Sequence, residues 1–216
     1  MATFGNSLNP SPLRLAVLLL AAGEGSRLGS IPKSLLKKEG QSLLQRFFHV
    51  IEAFTPVEFL VVTGFHAQAI ESELAILQEQ IQLNAVVIRN TTPHQGHASS
   101  VRLGIESLQS DYDALLIALS DQPEITRTHI TALLNQFEHR EAGYEIVLPI
   151  VGGQRGNPVV FSKNAIEEVL AITGMVCRSY MDTNPQLVEA FESNEVAYIL
   201  DVDTEADMNT LNLQRP

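Results

Sequence analysis

The chain has 216 residues, of which 45% are hydrophobic and 18% are charged, so it is long enough for one large core in a single domain. Its formal net charge is −11, from 14 Lys and Arg against 25 Asp and Glu, which argues against a nucleic-acid or anionic-membrane partner because both require a basic face. The single cysteine, Cys177, excludes an intrachain disulfide framework and favours a reducing compartment, so we expect a cytoplasmic protein.

The first residues differ in character from the rest of the chain. Residues 1–13 contain small and turn-forming side chains and no charge, which predicts a flexible tail ahead of one domain at 14–216. The apolar run at 15–22 is too short to span a bilayer and has no basic region before it. We therefore expect neither a signal peptide nor a membrane anchor.

Apolar runs and amphipathic stretches alternate along the rest of the chain. Continuous apolar strands separated by helices of about ten to fifteen residues are what a parallel sheet covered on both faces requires. We therefore predict an α/β fold with a single doubly wound, mostly parallel sheet and helices on both faces. In such a sheet, ligands bind outside the carboxyl ends of the strands. The predicted strands are residues 15–21, 58–63, 84–89, 112–119 and 196–200, and the predicted helices are residues 42–54, 68–80, 98–108 and 126–140.

The first strand ends abruptly in a loop of small residues that carries two cations. Gly23, Gly25 and Ser26 lack bulk, and glycines let backbone N–H groups turn inward towards a polyphosphate. Arg27 and Lys33 add charge that backbone dipoles cannot supply. The loop therefore predicts a phosphate-binding site for a nucleotide.

Two common phosphate loops do not fit this spacing. A P-loop has a glycine before its Lys-Ser pair, whereas Pro32 precedes Lys33 and Ser34. The dinucleotide fingerprint requires a third glycine at the position of Leu28. For the loop taken alone, a tight turn between a strand and a helix stays an alternative.

Two further strands lead into candidate nucleoside contacts. Thr63 closes the second strand, and a simple strand-to-helix turn is its alternative role. Gly96 and Ser99 lie where a loop enters a helix, so backbone groups and hydroxyls there can meet a base or ribose, although Ser99 can equally cap the helix. His94 and His97 have no cysteine or matching pair nearby, so we expect loop histidines rather than a zinc site.

Two carboxylates follow predicted strand ends. Asp121 comes after the apolar run at 112–119, where an aspartate is costly unless a cation meets it. Asp203 follows the last predicted strand. Since Mg²⁺ is commonly held by one or two carboxylates together with substrate phosphates, Asp121 and Asp203 are candidate Mg²⁺ ligands if the fold brings them together. The alternatives are a turn aspartate before Pro123 and a helix cap at Asp203 or Thr204.

These motifs together resemble those of the nucleotidyltransferase superfamily. Residues 20–29 and Lys33 match the pattern L-A-(A/G)-G-x-x-x-R-(L/M)-G followed by a lysine. Residues 121–123 resemble the Asp-x-Pro metal motif, and residues 203–207 resemble the closing Asp-Thr-Pro-Glu-Asp element, with Glu205 in place of proline. The resemblance covers residues 14–211 and implies a nucleotide-diphospho-sugar transferase-like, Rossmann-type fold.

Within the superfamily, residues 95–105 and 155–161 resemble the molybdenum cofactor cytidylyltransferases and related molybdopterin nucleotidyltransferases. One departure is the segment 173–178, which keeps Arg178 but lacks the acid and the second glycine of the branch pattern Gly-Asp-x-Gly-Ala-Arg. A sugar phosphate or another small phosphorylated metabolite therefore stays an alternative acceptor.

The resemblance implies an Mg²⁺-dependent enzyme that moves a nucleoside monophosphate, with CTP favoured, onto a phosphorylated acceptor and releases pyrophosphate. Molybdopterin would be the acceptor, and molybdoenzyme maturation proteins would be transient partners. The implied site residues are Arg27 and Lys33 for catalysis, Ala21, Ala22, Gly23, Gly25, Ser26, Thr63, Gly96 and Ser99 for the nucleotide, Arg155 and Asn157 for the acceptor, and Asp121 and Asp203 for the metal. For Arg155, an exposed hairpin residue is the alternative.

Two rival functions belong to other classes. A nicotinamide oxidoreductase does not fit, because it requires an acid at the end of the second strand, where this chain has Thr63 and Gly64. A nucleotide-binding regulator without catalysis would keep the glycine loop but could lose the metal carboxylates. Both carboxylates are present, which favours an enzyme.

Overall fold

The computed structural model describes residues 13–216, and residues 1–12 of the predicted tail lie outside the described part. Within that part, the helices are too short or too polar to cross a membrane. The strands are β1 (Leu15–Ala21), β2 (Lys37–Lys38), β3 (Gln41–Ser42), β4 (Glu58–Thr63), β5 (Val86–Arg89), β6 (Ala114–Leu119), β7 (Ile146–Val151), β8 (Gln154–Arg155), β9 (Val159–Ser162) and β10 (Val188–Glu192). The helices are α1 (Leu43–Ile51), α2 (Ala67–Gln80), α3 (His97–Glu106), α4 (Arg127–Glu138), α5 (Lys163–Ala171), α6 (Cys177–Thr183) and α7 (Glu205–Thr210).

A central eight-stranded sheet has the order β10-β7-β9-β6-β1-β4-β5, with β8 paired to β7. β1 lies between β4 and β6 and is parallel to both, and β10 is parallel to β7. β9 is antiparallel to β6 and to β7. The predicted doubly wound, mostly parallel sheet is therefore confirmed, with β9 as an antiparallel insertion. Because β7 runs in the same direction as β6, the carboxyl ends of β1, β4, β6 and β7 all lie on the same side of the sheet, beyond the ends of the strands.

The composition of β1 shows why helices cover both faces of the sheet. All seven of its residues are buried. Val17 and Leu19 face a core shared with α1, α2 and α4, whereas Leu18 and Leu20 face a core shared with α3, α5 and α6. Since successive side chains of a strand point to opposite faces, a strand between two cores must be apolar throughout. Polar chemistry is therefore confined to the segments beyond the strand ends.

The predicted strand at 196–200 is wrong. Val196–Tyr198 forms a 3₁₀ turn instead. The carbonyl of Tyr198 accepts hydrogen bonds from the Asn157 N–H at 2.8 Å and from the Gln122 side chain at 3.0 Å, and its buried hydroxyl donates to the His129 carbonyl at 2.8 Å. These contacts hold the backbone away from the sheet ladder. The strand at this edge of the sheet is β10, and its glutamates interrupt the apolar pattern that would predict a strand.

Candidate active site

A cleft of about 490 Å³ opens beyond the carboxyl ends of β1, β4 and β6. The loop after β1 forms one wall, the start of α3 forms another, and the segment after β6 meets two C-terminal aspartates at the far side. The structure brings ten of the predicted site residues to this cleft, namely Ala21, Ala22, Gly23, Gly25, Ser26, Arg27, Lys33, Gly96, Asp121 and Asp203.

The glycine loop folds back on itself at Gly25. This residue has a φ of 66°, and a Cβ there would lie 2.2 Å from the carbonyl oxygen of Ile31. Its own carbonyl accepts hydrogen bonds from the N–H groups of Leu28 and Ser30, both at 3.0 Å. Glycine is therefore required by the left-handed backbone and by the close approach of the chain. The turn fixes the wall of the cleft before any ligand enters.

Lys33 lies at the centre of a charged cluster. Its Nζ donates to Asp121 Oδ2 at 3.0 Å and to Asp203 Oδ1 at 2.6 Å. Burial of the ammonium disfavours its charge, but the two carboxylates outweigh burial and raise the pKa of Lys33. The side chain is thus a cation at neutral pH, held beside both predicted metal ligands.

Arg27 also pairs with Asp203, but in a more open setting. Its side chain is 70% exposed. An ion pair in so much solvent contributes little to stability, because water screens both charges. Arg27 can therefore exchange this carboxylate for a ligand phosphate at small cost.

A third carboxylate, Asp201, completes the acidic group. Oxygen atoms of Asp121, Asp201 and Asp203 all lie within 4.8 Å of one another. Partial burial and the two neighbouring carboxylates raise the pKa of Asp201. A divalent cation would relieve that repulsion, and three carboxylate oxygens are the hard donors that Mg²⁺ and Mn²⁺ accept. The donor set therefore fits a divalent metal.

Two predicted nucleoside contacts do not line the cleft. Thr63 is fully buried, and its hydroxyl donates to Glu71 Oε1 at 2.7 Å. Ser99 donates to the Gly96 carbonyl at 2.8 Å and accepts from Asn90 Nδ2 at 2.9 Å. Both hydroxyls thus serve internal hydrogen bonds in this structure.

Phe65, which the sequence reasoning passed over, reaches the cleft instead of Thr63. Its side chain is 43% exposed. The residue before it, Gly64, packs so closely that a Cβ would lie 2.7 Å from the Ala22 carbonyl oxygen and 3.0 Å from Pro93 Cβ. The residue after it, His66, places Nε2 2.8 Å from the Glu24 carbonyl. A tightly packed turn therefore holds an exposed aromatic ring at the rim of the cleft.

The two predicted acceptor residues, Arg155 and Asn157, line a second cleft of about 540 Å³. This cleft lies between β9, α3 and α6, and it shares His97 and Leu119 with the first cleft. Arg155 pairs with Asp182. The two clefts are therefore neighbours, and His97 stands at their junction.

Sequence reasoning missed Asp201, Phe65 and His97 as residues of these clefts. Asp201 had the clearest signal, because it stands two positions before Asp203 in an Asp-Val-Asp run. Phe65 follows Gly64 just after β4, and His97 follows Gly96 at the start of α3, so their positions in the clefts became visible only in the folded chain.

An aspartate after β6 and two aspartates of the C-terminal segment face a glycine loop with two cations, an arrangement typical of a nucleotide-dependent transferase domain of the α/β class. Comparison with known families agrees with this class. Residues 17–189 match the family described as the MobA-like NTP transferase domain. The chain belongs to that family and carries a nucleotidyltransferase domain.

Among curated relatives, the bifunctional protein GlmU of Mycobacterium leprae is 28% identical over 189 residues, which are 87% of this chain and 37% of GlmU. The GlmU of Prochlorococcus marinus is 28% identical over 153 residues, and the chain spans about a third of its length. Nicotine blue oxidoreductase of Paenarthrobacter nicotinovorans is 28% identical over 206 residues, which are 90% of this chain and 94% of the relative.

Solved structures show the same fold. Rv0371c of Mycobacterium tuberculosis matches with a TM-score of 0.74 and 21% identity over 93% of this chain and 98% of its own, and another structure of Rv0371c is a complex with manganese. The 4-diphosphocytidyl-2C-methyl-D-erythritol synthase of Anaerococcus prevotii matches with a TM-score of 0.69 and 13% identity over 92% and 94% of the two chains. The inositol-1-phosphate CTP transferase of T. maritima matches with a TM-score of 0.62 and 15% identity over 94% and 95%.

Proposed function

We propose that the protein transfers a nucleoside monophosphate from a nucleoside triphosphate, with CTP preferred, to the phosphate of a small acceptor. The observation that carries the proposal is the junction of two clefts beside the acidic cluster. One cleft has a glycine loop and two cations, and the other contains the predicted acceptor residues. A group can pass between two ligands only when both lie next to the same reacting centre.

The reaction is an in-line displacement at the α-phosphorus. An oxygen of the acceptor phosphate forms a bond to the α-phosphorus, the bond from that phosphorus to the bridging oxygen breaks, and pyrophosphate leaves with the electron pair. The attacking phosphate is already ionised, so positioning and charge stabilisation supply the rate and no general base is needed. Gly23, Gly25 and Ser26 would bind the leaving phosphates through the loop backbone, while Arg27 and Lys33 would neutralise their charge.

Asp121, Asp201 and Asp203 would hold a divalent cation, and we propose Mg²⁺. When bound, the metal polarises the phosphate oxygens and offsets their negative charge. Lys33 donates to two of these carboxylates in the structure, so it would keep them oriented before the metal binds. Once the carboxylates bind the metal instead, the ammonium of Lys33 would be available to a phosphate.

The nucleoside would lie against Ala21, Ala22, Gly96 and the ring of Phe65. Thr63 and Ser99 would support this wall from behind rather than contact the ligand. The names of two structural neighbours, a 4-diphosphocytidyl-2C-methyl-D-erythritol synthase and an inositol-1-phosphate CTP transferase, support CTP as the donor. The resemblance of residues 95–105 and 155–161 supports molybdopterin as the acceptor, near Arg155 and Asn157. A sugar phosphate is the alternative acceptor.

The test is pyrophosphate release with Mg²⁺, in which CTP, GTP, ATP and UTP are offered in turn with molybdopterin or with a sugar phosphate. We expect release that depends on the acceptor and is fastest with CTP. Asp121→Asn should reduce the rate at least about a hundredfold while the protein stays folded. The reason is that the divalent cation that would offset the negative charge of the transition state loses a carboxylate ligand. Glu138→Gln, an exposed change on α4, is the matched control. Silence with every acceptor, or full activity of Asp121→Asn, would refute the proposal.

A redox reaction is the second candidate, because a relative that matches over nearly its whole length is named an oxidoreductase. The absence of a dinucleotide fingerprint at the glycine loop argues against a nicotinamide cofactor bound in the usual way. One experiment separates the two functions: the protein is given NADH or NADPH with a quinone dye, and both cofactor oxidation and pyrophosphate release are measured. A redox enzyme would oxidise the cofactor and release no pyrophosphate.

A further inference from the structure

The second cleft has walls of a different chemistry from the first. Its floor consists mainly of apolar side chains that are otherwise buried, including Val101, Leu148, Val159 and Met181. Of the described residues that line it, none is an aspartate or a glutamate. Sugar hydroxyls need hydrogen-bond partners when water is removed, and an apolar wall leaves them unpaired.

The charge of the second cleft is opposite to that of the protein. The chain carries a net charge of −11, yet this cleft has two arginines at its rim and no acid among its described lining residues. Arg155 is paired with Asp182. Arg178 has no carboxylate partner in the part of the chain that the structure describes, so its charge is available to a ligand. A local cation in an acidic protein favours one anionic group at this rim.

The apolar wall comes in part from residues 173–178, the segment that departs from the pattern of the molybdopterin branch that the sequence resembles. Val176 and Cys177 occupy the positions before Arg178, and both line the cleft. Burial raises the pKa of the Cys177 thiol to about 12, so this side chain is neutral and packs as a small apolar group. Counted back from Arg178 in the pattern Gly-Asp-x-Gly-Ala-Arg, Val176 and Cys177 stand where glycine and alanine are usual, so the wall presents larger apolar side chains.

We propose that the second cleft selects acceptors in which a phosphate is attached to an apolar body, and that it discriminates against polyhydroxylated acceptors such as sugar phosphates. The phosphate would lie towards His97 and Arg178, at the junction with the nucleotide cleft, and the apolar body would lie on the floor formed by Leu148, Val159 and Met181. This inference rests on the proposed nucleotidyl transfer for its biological meaning, but the selectivity is measurable as binding.

Binding is tested by isothermal titration of the full chain, with its nucleotide cleft saturated by CTP, using phenyl phosphate, glucose 6-phosphate and inorganic phosphate. The three probes carry a similar charge and differ in the group attached to the phosphate, which is an apolar ring, a sugar or nothing. We expect phenyl phosphate to bind at least about tenfold more tightly than glucose 6-phosphate, which is the discrimination that a single unpaired hydroxyl produces. Equal binding of the three probes, or no binding of phenyl phosphate, would overturn the inference.

Variants locate the binding site. Val176 occupies the cap position before α6, where aspartate and asparagine are favoured, so Val176→Asp and Val176→Asn should both fold. Val176→Asp should weaken phenyl phosphate binding about tenfold or more, because a carboxylate would face the phosphate, and Val176→Asn should weaken it less. Ile172→Asp, an exposed change in the same segment, is the matched control. Unchanged binding to Val176→Asp would place the probe elsewhere and overturn the inference.

The binding results do not depend on turnover. If phenyl phosphate binds selectively but pyrophosphate is never released with any acceptor, the proposed transfer fails while the selectivity of the cleft stands. If an acceptor supports pyrophosphate release but sugar phosphates bind as tightly as phenyl phosphate, the transfer stands and the selectivity fails.

Discussion

Arg102 holds the end of α5 in place, and its removal should reveal how much that anchor contributes. From α3, the two hydrogens of its Nη1 are shared among the carbonyls of Val169 at 3.0 Å, Ile172 at 3.2 Å and Met175 at 3.1 Å. Its Nη2 donates to the Leu170 carbonyl at 3.1 Å. The last carbonyls of a helix have no partner within the helix, so one guanidinium supplies donors that α5 lacks.

The expected cost follows from the setting of these bonds. The bond to Ile172 is exposed, and water can replace it, whereas the other three are part-buried. At about 1 kcal/mol for each part-buried bond, Arg102→Met should lower the free energy of unfolding by about 3 kcal/mol. For a chain of this size, the corresponding fall in Tm is about 6–12 °C.

Urea unfolding and calorimetry of Arg102→Met measure this cost, and Arg127→Met is the control because Arg127 lies exposed on α4. Since Met175 leads into the wall of the second cleft, the variant should also raise the KM for the acceptor more than the KM for the nucleotide. A loss of stability below about 1 kcal/mol would refute the reasoning, because three part-buried carbonyls would then have no need of this donor.

Three shorter predictions concern the clefts. Gly64→Ala should lower the free energy of unfolding by about 1–3 kcal/mol in urea titrations, because its Cβ would meet the Ala22 backbone, and a wild-type value would contradict the close packing. Phe65→Ala should raise the KM for the nucleotide about tenfold without destabilising the fold, if a base stacks on the ring, whereas Ile76→Ala should change neither. Cys177 should react slowly with iodoacetamide at pH 8 unless urea is added, because its pKa is raised to about 12 by burial. Since the folded chain holds this proton more tightly than the unfolded chain, where the ordinary value is 9.0, the free energy of unfolding should fall as the pH rises from about 9 to about 12.

The acidic cluster illustrates what the sequence can predict about a site and where it stops. Asp121 and Asp203 stand out because each follows a predicted strand, although the strand assumed before Asp203 is a 3₁₀ turn. The two aspartates meet because the Val202 N–H donates to the Asp121 carbonyl at 3.1 Å. That backbone contact is formed by the tertiary fold alone, and the same contact places Asp201 within reach.

Elements that are governed by periodicity and composition could be predicted from the sequence. Apolar runs such as β1 must be buried on both faces, so the alternation of strands and helices, the doubly wound sheet and the glycine loop could be predicted from local pattern. The strand at β10 could not, because Glu189 and Glu192 interrupt its pattern and its pairing with β7 joins residues far apart in the chain.

Long-range packing determines which side chains face the clefts. Thr63 and Phe65 are only two positions apart in the sequence, yet the threonine is buried against Glu71 and the ring is exposed at the rim. The direction of a side chain at a strand end depends on what packs around it, and those neighbours come from α2, the glycine loop and Pro93. Local residue type therefore predicts where a site lies, whereas long-range packing decides which side chains enter it.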